Sequence, residues 1–363
     1  MRILHVITSL RIGGAEKLLA DLLPRLQQMG HDVAIYVFMG INTPLVEQLV
    51  SSDVKVISGG ANQSVYSLRH INVLRQLIPN YDIIHTHNTS PQLFAAIANI
   101  GRNLPLITTE HSTSNRRRHH RFFRPIDRWM YSRYSRIICI SEPCRASLVK
   151  YAGGKYTNSL CVINNGINTQ RYAGATASDE FNHQTLHTAH IIINVAGFRW
   201  EKDQPTIIRA MQLLPNDYHL LLVGDGERIN ECKQLARTLH IGQRVHFLGV
   251  RTDVPNLLKS ADVVVMSSHH EGLSLSNLEG MAAGKPFLAS DVDGLREIVK
   301  GYGLLFPHED EKALAAVIRQ LCDDPQYAMS IAKRCQRRAF EYDISKMVAG
   351  YDAVYHEVMK QQE

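Results

Sequence analysis

The chain has 363 residues, of which 45% are hydrophobic and 20% are charged, an ordinary composition for a soluble globular protein. This length is too great for one typical core and predicts two domains. The six scattered cysteines form no C-x-x-C pair and no metal-ligand spacing, which excludes a disulfide framework and favours a reduced, cytoplasmic protein.

The first half of the chain alternates short β-rich runs with helical patterns. The opening apolar run is only about eight residues long, which suits a buried strand and neither a signal peptide nor a membrane span. Apolar residues recur at helical spacing between the runs, which predicts βαβ units and a parallel sheet. Strands are predicted at residues 3–7, 33–38, 54–57, 83–85, 106–108, 137–140 and 161–163.

The pattern lapses at residues 173–190, a polar stretch rich in Ala, Thr and His that predicts an interdomain linker. A second βαβ series follows, so the predicted domains are residues 1–172 and 191–343, with a last helix, 344–363, packing back on the first domain. Its strands are predicted at residues 191–195, 220–223, 245–247, 263–266, 287–289 and 304–306, and closing helices at 309–321, 327–341 and 345–360.

This alternation predicts an α/β protein with two Rossmann-like, doubly wound parallel-sheet domains that face each other across a cleft. Open α/β sheets bind ligands at the carboxyl ends of their strands. The loops that follow the predicted strands are therefore the first places to look for a site.

Two carboxylates, Glu271 and Glu279, lie eight positions apart in the segment HHEGLSLSNLEGMAAGKP. One continuous helix would separate them by about 80° around its axis. Ser276 and Glu279 fit an S-x-x-E capping box, so the helix is predicted to begin at Ser276, with Glu271 in the preceding loop. Both carboxylates then point to one site, beside helix amides that bind anions. The alternative is a Glu279 that only caps the helix and a solvated Glu271.

Two cations, Arg199 and Lys202, follow the predicted strand 191–195 and are suited to clamp a diphosphate. A solvated loop is the alternative interpretation. The sequence shows no carboxylate cluster for a divalent metal, so these cations would take the place of one.

Two glycine turns follow other strands of the same predicted sheet. Gly224 and Gly226 resemble half of a dinucleotide fingerprint, but Ile229 stands where the third glycine would be, which disfavours a nicotinamide cofactor. Asp293 and Gly294 follow the strand 287–289 and add a further turn to the same edge.

Taken in order, these motifs resemble the retaining GT-B glycosyltransferases of family 4, whose signature is E-x7-E. The resemblance covers essentially the whole chain and departs at Asp293 and Arg296, which replace Gly and Pro of the family's G-G-x-P-E turn. The matching stretches are G-F-R-x-E-K-D, L-V-G-D-G-E, the E-x7-E segment and G-L-L-F-P, together with Gly13-Gly14-Ala-Glu16, Thr108-Thr-Glu-His111, Ile140-Ser-Glu142 and Asn165-Gly166 in the first half.

The resemblance implies a nucleotide-sugar donor, UDP-linked rather than GDP-linked, with no metal or other cofactor. Arg199 and Lys202 would bind its diphosphate, Glu279 the ribose and Glu271 the transferred sugar, which Asp293 would also contact. The remaining donor-binding residues that it implies are Gly13, Gly14, Gly224, Gly226, Gly272, Leu273, Ser274, Leu275 and Ser276.

His111 would lie at the reaction centre, near the acceptor hydroxyl, although a structural histidine at a strand end is the alternative. The resemblance implies front-face displacement, in which Arg199, Lys202 and the helix start neutralise the leaving diphosphate. The leaving phosphate itself would deprotonate the incoming hydroxyl.

The formal net charge of +6 is concentrated between His111 and Lys155, where eleven basic residues face two acidic ones. Arginines alternate there with aromatic residues, which suits the surface of an anionic membrane. A solvated basic face is the default alternative, and nucleic acid is disfavoured because no binding motif accompanies the patch. The patch comprises Arg116, Arg117, Arg118, Arg121, Phe122, Phe123, Arg124 and Trp129.

The predicted function is transfer of a hexose from a nucleotide sugar to a glycan or lipid-linked acceptor in cell-envelope synthesis. The protein would act in the cytoplasm, at the inner face of the membrane. Two alternatives remain at this stage: a nucleotide-sugar epimerase with the same two α/β domains, and a non-catalytic nucleotide-sugar-binding or membrane-surface protein.

Overall fold

The computed structural model describes residues 1–11, 13–113, 116–181, 189–271 and 274–362, without the side chains of residues 116, 119, 121, 154, 155 and 181. The chain divides into two compact units. Unit 1 comprises Met1–Gly166 and Ile344–Glu363, and unit 2 comprises Ile167–Asp343.

Each unit contains one parallel sheet. In unit 1 the strand order is β3-β2-β1-β4-β5-β6-β7, and in unit 2 it is β10-β9-β8-β11-β12-β13. The unit 1 strands are β1 (Arg2–Ser9), β2 (Asp32–Met39), β3 (Lys55–Ser58), β4 (Ile83–His87), β5 (Leu106–Glu110), β6 (Arg136–Cys139) and β7 (Leu160–Val162). The unit 2 strands are β8 (His190–Val195), β9 (Tyr218–Val223), β10 (Val245–Gly249), β11 (Val263–Met266), β12 (Phe287–Ser290) and β13 (Leu304–Phe306).

Helices connect the strands. Unit 1 contains α1 (Gly14–Gln28), α2 (Pro44–Ser51), α3 (Arg69–Leu77), α4 (Thr89–Ala98), α5 (Arg124–Tyr131) and α6 (Glu142–Ala152). Unit 2 contains α7 (Thr169–Ala173), α8 (Gln204–Gln212), α9 (Ile229–Thr238), α10 (Val254–Ser260), α11 (Leu275–Ala282), α12 (Arg296–Val299), α13 (Glu311–Asp323) and α14 (Pro325–Phe340). The last helix, α15 (Ile344–Lys360), belongs to unit 1 and packs against α1.

The fold class predicted from the sequence is confirmed, because both units are Rossmann-like. Each predicted strand is present, and every pairing in the two sheets is parallel. Strands such as β4 and β5 are buried along their whole length, as expected for a sheet covered on both faces. The strand order reverses between β1 and β4 and between β8 and β11, and ligands bind beside such reversal points.

The division between the units lies at residue 166, earlier than the predicted 172. The reason is that α7 packs against α10 and α11 of unit 2. The first part of the predicted linker, 173–190, is also held there. The Asn256 amide donates to the Thr176 carbonyl at 2.9 Å, and Arg251 pairs with Glu180 at 2.7 Å. Residues 182–188 of that stretch lie outside the described residues.

No helix in the described part of the chain is both long enough and apolar enough to cross a bilayer.

Candidate functional site

Lys202 and Glu271 meet at the edge of the unit 2 sheet where its strand order reverses. Lys202 ends a short 3₁₀ turn, Trp200–Lys202, after β8, and Glu271 lies in the loop after β11. The Lys202 amine donates to the Glu271 carboxylate, and the same oxygen accepts from the Ser268 hydroxyl at 2.7 Å. Lys202 keeps 22% of its side chain exposed, against 8% for Glu271. The pair therefore presents a partly exposed cation beside a nearly covered carboxylate.

The loop that carries Glu271 is fixed by the neighbouring strand end. The Ser290 hydroxyl donates to the Ser268 carbonyl at 2.6 Å, and the Glu271 amide donates to the Asp293 carbonyl at 3.3 Å. Gly294 has a φ of +86°, and a Cβ there would overlap the Glu271 carbonyl oxygen. Only glycine fits this close approach, so the ends of β11 and β12 hold Glu271 in one place.

Arg199 lies three residues before Lys202, at the start of the same 3₁₀ turn. Its side chain is exposed, and it has no ion-pair partner within the described residues. Arg199 and Lys202 thus bring two positive charges to one strand end, as the sequence predicts. A guanidinium fork and an ammonium at this distance along a turn are suited to bind the oxygens of a diphosphate.

The helix after Glu271 does not begin where the capping box predicts. Helix α11 starts at Leu275 with Ser274 as its cap residue, and no side chain caps it. Ser276 is therefore already inside the first turn. Glu279 lies in the second turn and is 4% exposed, past the third helical position that a capping box uses. The capping-box interpretation was wrong, although the helix start still follows the Glu271 loop.

The segment between Glu271 and α11 contains two further predicted donor-binding residues. Gly272 and Leu273 lie outside the described residues. Ser274 and Leu275 form the start of α11, where the amides of the first turn lack helical partners and attract anions.

The predicted glycine turn, Gly224 and Gly226, packs against the loop after β8. A Cβ at Gly224 would overlap the Ala196 carbonyl, and one at Gly226 would overlap the Phe198 backbone. Both glycines have positive φ, which favours glycine for a second reason. Packing of the protein chain itself therefore accounts for the two glycines, and a direct donor contact stays a prediction.

Asp293, the predicted sugar contact, is 92% exposed and pairs with Arg296 at 3.0 Å. Arg296 also pairs with Asp291 at 2.5 Å. The two residues that depart from the family turn thus contact each other, and the contact of Asp293 with a sugar stays a prediction.

In unit 1, Gly13 and Gly14 open helix α1 after β1. Gly13 is extended, with a φ of −163°, a conformation that any residue adopts. A Cβ at Gly14 would meet no atom within 4 Å. A Cβ at Gly13 would overlap the Glu16 carboxylate, the movable end of a side chain, so no contact with backbone requires glycine at this turn. Close approach by a ligand stays a prediction for it.

His111 directly follows β5 and is half-buried. Its Nε2 atom lies 3.0 Å from Nδ1 of His87, which is fully buried at the end of β4. Burial lowers the pKa of His111 to about 4, so the ring is neutral at physiological pH. A neutral imidazole either donates or accepts a hydrogen bond at its second nitrogen, depending on the tautomer.

Sequence reasoning missed three buried histidines that stand behind His111: His5 on β1, and His85 and His87 on β4. His85 and His87 are two residues apart and therefore on one face of the strand. His5 is the register partner of His85 in the parallel pairing. The H-x-H spacing of His85 and His87 is visible in the sequence. Only the pairing of β4 with β1 shows that His5 lies beside them.

The basic segment after His111 is partly structural, because two arginines of the predicted membrane or acceptor patch, Arg117 and Arg118, form ion pairs inside unit 1. Arg118 pairs with Glu110 at 2.7 Å, and each side chain is 6% exposed. Arg117 pairs with the buried Asp127. These two arginines are therefore committed to partners inside unit 1 and cannot serve a membrane surface.

Two exposed side chains of the segment, Phe122 and Phe123, are aromatic. Phe122 is 91% exposed and Phe123 is 38% exposed. The Arg124 guanidinium lies over the Tyr151 ring at 5.5 Å, and Trp129 is covered by the Arg133 guanidinium at 5.3 Å. The side chains of Arg116 and Arg121 lie outside the described residues.

Chemically, the unit 2 edge combines two cations, a helix start and the Glu271 carboxylate, and the contact of the buried Glu279 with a donor stays a prediction. Cations and free amides stabilise a phosphate leaving group, and carboxylates accept hydrogen bonds from sugar hydroxyls. This set suits a sugar diphosphate better than a nicotinamide cofactor, for which the glycine fingerprint is incomplete.

Two family models match the chain. Residues 12–171 match the model described as glycosyltransferase family 4, and residues 177–339 match glycosyl transferases group 1. The chain belongs to the GT-B glycosyltransferases of family 4. Both models describe transferases, which decides against the nucleotide-sugar epimerase and the non-catalytic binding protein as alternatives.

Individual relatives agree with this family. A Bacillus subtilis protein named as the glycosyltransferase EpsD is 26% identical over 92% of this chain and 91% of its own. An Escherichia coli UDP-Gal:α-D-GlcNAc-diphosphoundecaprenol α-1,3-galactosyltransferase is 25% identical over 76% of this chain and 72% of its own. Among solved structures, Anabaena HepE in complex with UDP-glucose superposes with a TM-score of 0.84, at 24% identity, over 98% of this chain and 100% of that one. The last match shows the shared fold.

Proposed function

We propose that this glycosyltransferase moves a hexose from a UDP-linked donor to a hydroxyl of a lipid-linked or glycan acceptor, with retention of anomeric configuration. The observation that carries the proposal is the contact of Lys202 with Glu271 at the reversal point of the unit 2 sheet. The similar HepE structure contains UDP-glucose, which supports a UDP-sugar as the donor class.

The donor would bind unit 2 through its charged groups. Arg199 and Lys202 would bind the diphosphate, with the amides at the start of α11 as further donors. Glu271 would accept hydrogen bonds from the sugar hydroxyls and Glu279 from the ribose. In the transfer, the bond from the sugar C1 to the diphosphate oxygen breaks, and a bond from C1 to the acceptor oxygen forms. The hydroxyl proton passes to the leaving phosphate, so no protein carboxylate is needed as a base.

The proposed acceptor is lipid-linked, in cell-envelope polysaccharide synthesis at the inner face of the membrane. Two observations support it. The similar E. coli enzyme carries a diphosphoundecaprenol acceptor in its name. The exposed Phe122 and Phe123 follow His111 in unit 1, and exposed aromatic residues near arginines favour a membrane surface.

Transfer is proposed to need no metal, since two cations already neutralise the leaving group. A metal requirement has to be tested, because four residues bring ligand atoms within 4.8 Å of one another near the same strand ends. They are Asp203, His269, His308 and Glu309. Activity that survives prolonged EDTA treatment supports the proposal. Activity that EDTA abolishes and a divalent cation restores contradicts it.

The decisive experiment is a donor panel, in which UDP-glucose, UDP-galactose, the two UDP-N-acetylhexosamines and GDP-mannose are each incubated with undecaprenyl-diphosphate sugars. Product formation is followed by released nucleotide and mass spectrometry, and the anomeric configuration by NMR. Transfer from a UDP-sugar, lost in both Lys202→Ala and Glu271→Ala variants that still fold, is expected. Full activity in both variants, or an inverted product, would overturn the assignment.

A further inference from the structure

Four histidines of unit 1 belong to one hydrogen-bonded series that ends at His111. They are His5, His85, His87 and His111. His111 Nε2 lies 3.0 Å from His87 Nδ1, and His87 Nε2 lies 3.0 Å from His5 Nδ1. The His5 and His87 rings are stacked with an interplanar angle of 8°. Each inner ring therefore uses Nδ1 on one side and Nε2 on the other.

Helix α15 and strand β5 continue the series beyond His5. The Tyr355 hydroxyl lies 3.4 Å from His5 Nε2 and 2.7 Å from His85 Nδ1. His85 Nε2 lies 2.9 Å from the Thr109 hydroxyl, which lies 3.1 Å from the Tyr351 hydroxyl. The full relay, in order, is His111, His87, His5, Tyr355, His85, Thr109 and Tyr351.

All four rings are neutral, because burial lowers the pKa of each. The pKa falls to about 3 for His5 and about 4 for His111, and those of His85 and His87 fall well below the usual value. A neutral ring has one N–H donor and one acceptor nitrogen, and a hydroxyl has one donor. Each ring therefore donates on one side and accepts on the other. A hydroxyl that accepted from both sides would leave its own proton without a partner in the relay, so all bonds are paired only if they point one way, either toward His111 or away from it.

The far end decides the direction. Tyr351 is fully buried, and Thr109 is the hydrogen-bond partner of its hydroxyl in the part of the chain that the structure describes. If the bonds pointed away from His111, the Tyr351 proton would be buried without an acceptor. If they point toward His111, Tyr351 donates to Thr109, Thr109 donates to His85, and every donor inside is satisfied. The penalty for a buried unpaired donor favours this direction by about tenfold or more.

We propose that this relay holds His111 with its proton on Nδ1, so that the ring presents an N–H donor, not a base. His87, His5, Tyr355 and Tyr351 are then positioning residues that act on substrate through His111. If the proposed function is correct, the His111 N–H donates to a substrate oxygen, a sugar hydroxyl or a phosphate, and does not accept the acceptor proton. That agrees with the leaving phosphate as the base.

The same three buried histidines have nitrogens within 4.8 Å of one another, as a metal site would require. The geometry of these three rings disfavours a metal site. The His85 and His87 rings are stacked at 4.5 Å with an angle of 17°, so their nitrogen lone pairs do not converge on a point. The His5 and His87 nitrogens are instead hydrogen-bonded to each other.

The test measures which ring nitrogen carries the proton in each histidine, from long-range ¹H–¹⁵N spectra of ¹⁵N-histidine-labelled full-length protein near neutral pH. Each of the four rings is assigned from the signals that vanish when its histidine is replaced by Gln. The relay predicts Nδ1–H in all four, opposite to the Nε2–H form that free neutral histidine prefers in water. Nε2–H as the main form of His111 would overturn the proposal, and so would retention of a metal ion by the four rings.

A variant tests the origin of the direction. Tyr351→Phe makes Thr109 the buried end of the relay, and the Thr109 proton is then paired only if it donates to His85, so Nδ1–H is expected to persist in all four rings. Tyr134→Phe is the matched control, because its buried hydroxyl bonds to Thr86 and the Gln92 carbonyl, outside the relay. Reversal to Nε2–H in Tyr351→Phe would contradict the argument that the buried end of the relay sets its direction. Because the tautomers are measured without substrate or turnover, the spectra test this proposal even if the protein proves inactive in the donor panel.

Discussion

The two units place an ion pair at similar points of similar sheets, yet the pairs differ in exposure. In unit 1, Arg118 meets Glu110 at the end of β5, and both side chains are 6% exposed. Glu110 also accepts from Tyr131 at 2.8 Å and from Gln92 at 2.6 Å. In unit 2, Lys202 keeps more than a fifth of its side chain exposed beside Glu271.

The difference shows that a charge at a strand end indicates a ligand site only when part of it stays open. A closed pair with saturated carboxylate oxygens contributes to the fold, because breaking it leaves a buried charge. An open pair next to the exposed Arg199 remains available to an anion. Unit 1 instead brings neutral histidines to the edge of its sheet, which suits hydrogen bonding to hydroxyls better than binding of a diphosphate.

The largest effect on stability is expected from Arg118→Ala, which leaves Glu110 buried without its cation. Loss of one partner of a buried pair costs about 3–5 kcal/mol. The free energy of unfolding from urea titrations measures it. The matched control is Arg145→Ala, which breaks the exposed pair with Glu142 in the same unit and should cost no more than about 1 kcal/mol. Equal losses in the two variants would mean that the Glu110 pair is not special.

Lys202→Ala should show the opposite behaviour, with a small change in stability and a large one in activity. Removing one preorganised stabiliser of a developing charge typically lowers kcat by about 10²–10³. Glu271 is only 8% exposed, but it keeps its bond from Ser268 and the Lys202 side chain that it loses is 22% exposed, so the cost in stability should be smaller than that of Arg118→Ala. Steady-state kinetics with the best UDP-sugar provide the measurement, with the exposed Lys300→Ala in the same unit as control. An increase in KM with kcat unchanged would contradict this prediction, because Lys202 would then stabilise the ground state and the transition state equally.

Acid should destabilise unit 1 more than unit 2. The pKa of His5 is about 3 in the folded state against about 6.5 unfolded, so the unfolded chain binds protons first as the pH falls. Stability is therefore full above pH 6.5 and declines below it. One such histidine costs about 2–3 kcal/mol between pH 6.5 and 4.5. The pKa values of His85 and His87 shift in the same direction and add to the loss.

The chain provides a reporter for each unit, since one of its two tryptophans, Trp129, lies in unit 1 and the other, Trp200, in unit 2. In the Trp200→Phe variant the remaining Trp129 reports the urea unfolding of unit 1. In the Trp129→Phe variant the remaining Trp200 reports that of unit 2. The unit 1 midpoint should fall clearly between pH 6.5 and 4.5. The unit 2 midpoint should fall less, because the lowered pKa values of His219 and His246 belong to only partly buried rings. Equal shifts would show that the histidines of unit 1 do not carry the effect.

Sequence predicted the strands well, because β-branched runs between turns have few alternatives in a parallel sheet. It predicted the helix start after Glu271 less well. Ser274 and Ser276 both suit a cap position, and the S-x-x-E pattern favoured the second. The chain instead starts α11 at Leu275, which leaves Glu279 buried in the second turn.

Contacts between residues distant in sequence could not be predicted from the sequence alone. The run of arginines at 116–118 shows charge, but its partners Glu110 and Asp127 are settled by folding of the segment onto β5 and α5. The histidine relay needs the pairing of β1 with β4, about 80 positions apart, and the return of α15 to unit 1. Neither follows from local patterns, which reach only a few residues.

The smallest effect on stability and a specific effect on membranes are expected from Phe122→Ser. The side chain is 91% exposed, so its loss should change the free energy of unfolding by no more than about 0.5 kcal/mol. If Phe122 and Phe123 insert among the headgroups of a membrane, the variant should float less with anionic vesicles at low salt. Tyr66→Ser is the matched control, an aromatic residue that is 75% exposed in the same unit but outside the basic segment. Because Arg117 and Arg118 are committed to Asp127 and Glu110, an unchanged flotation would leave the segment without a membrane role and favour an acceptor met in solution.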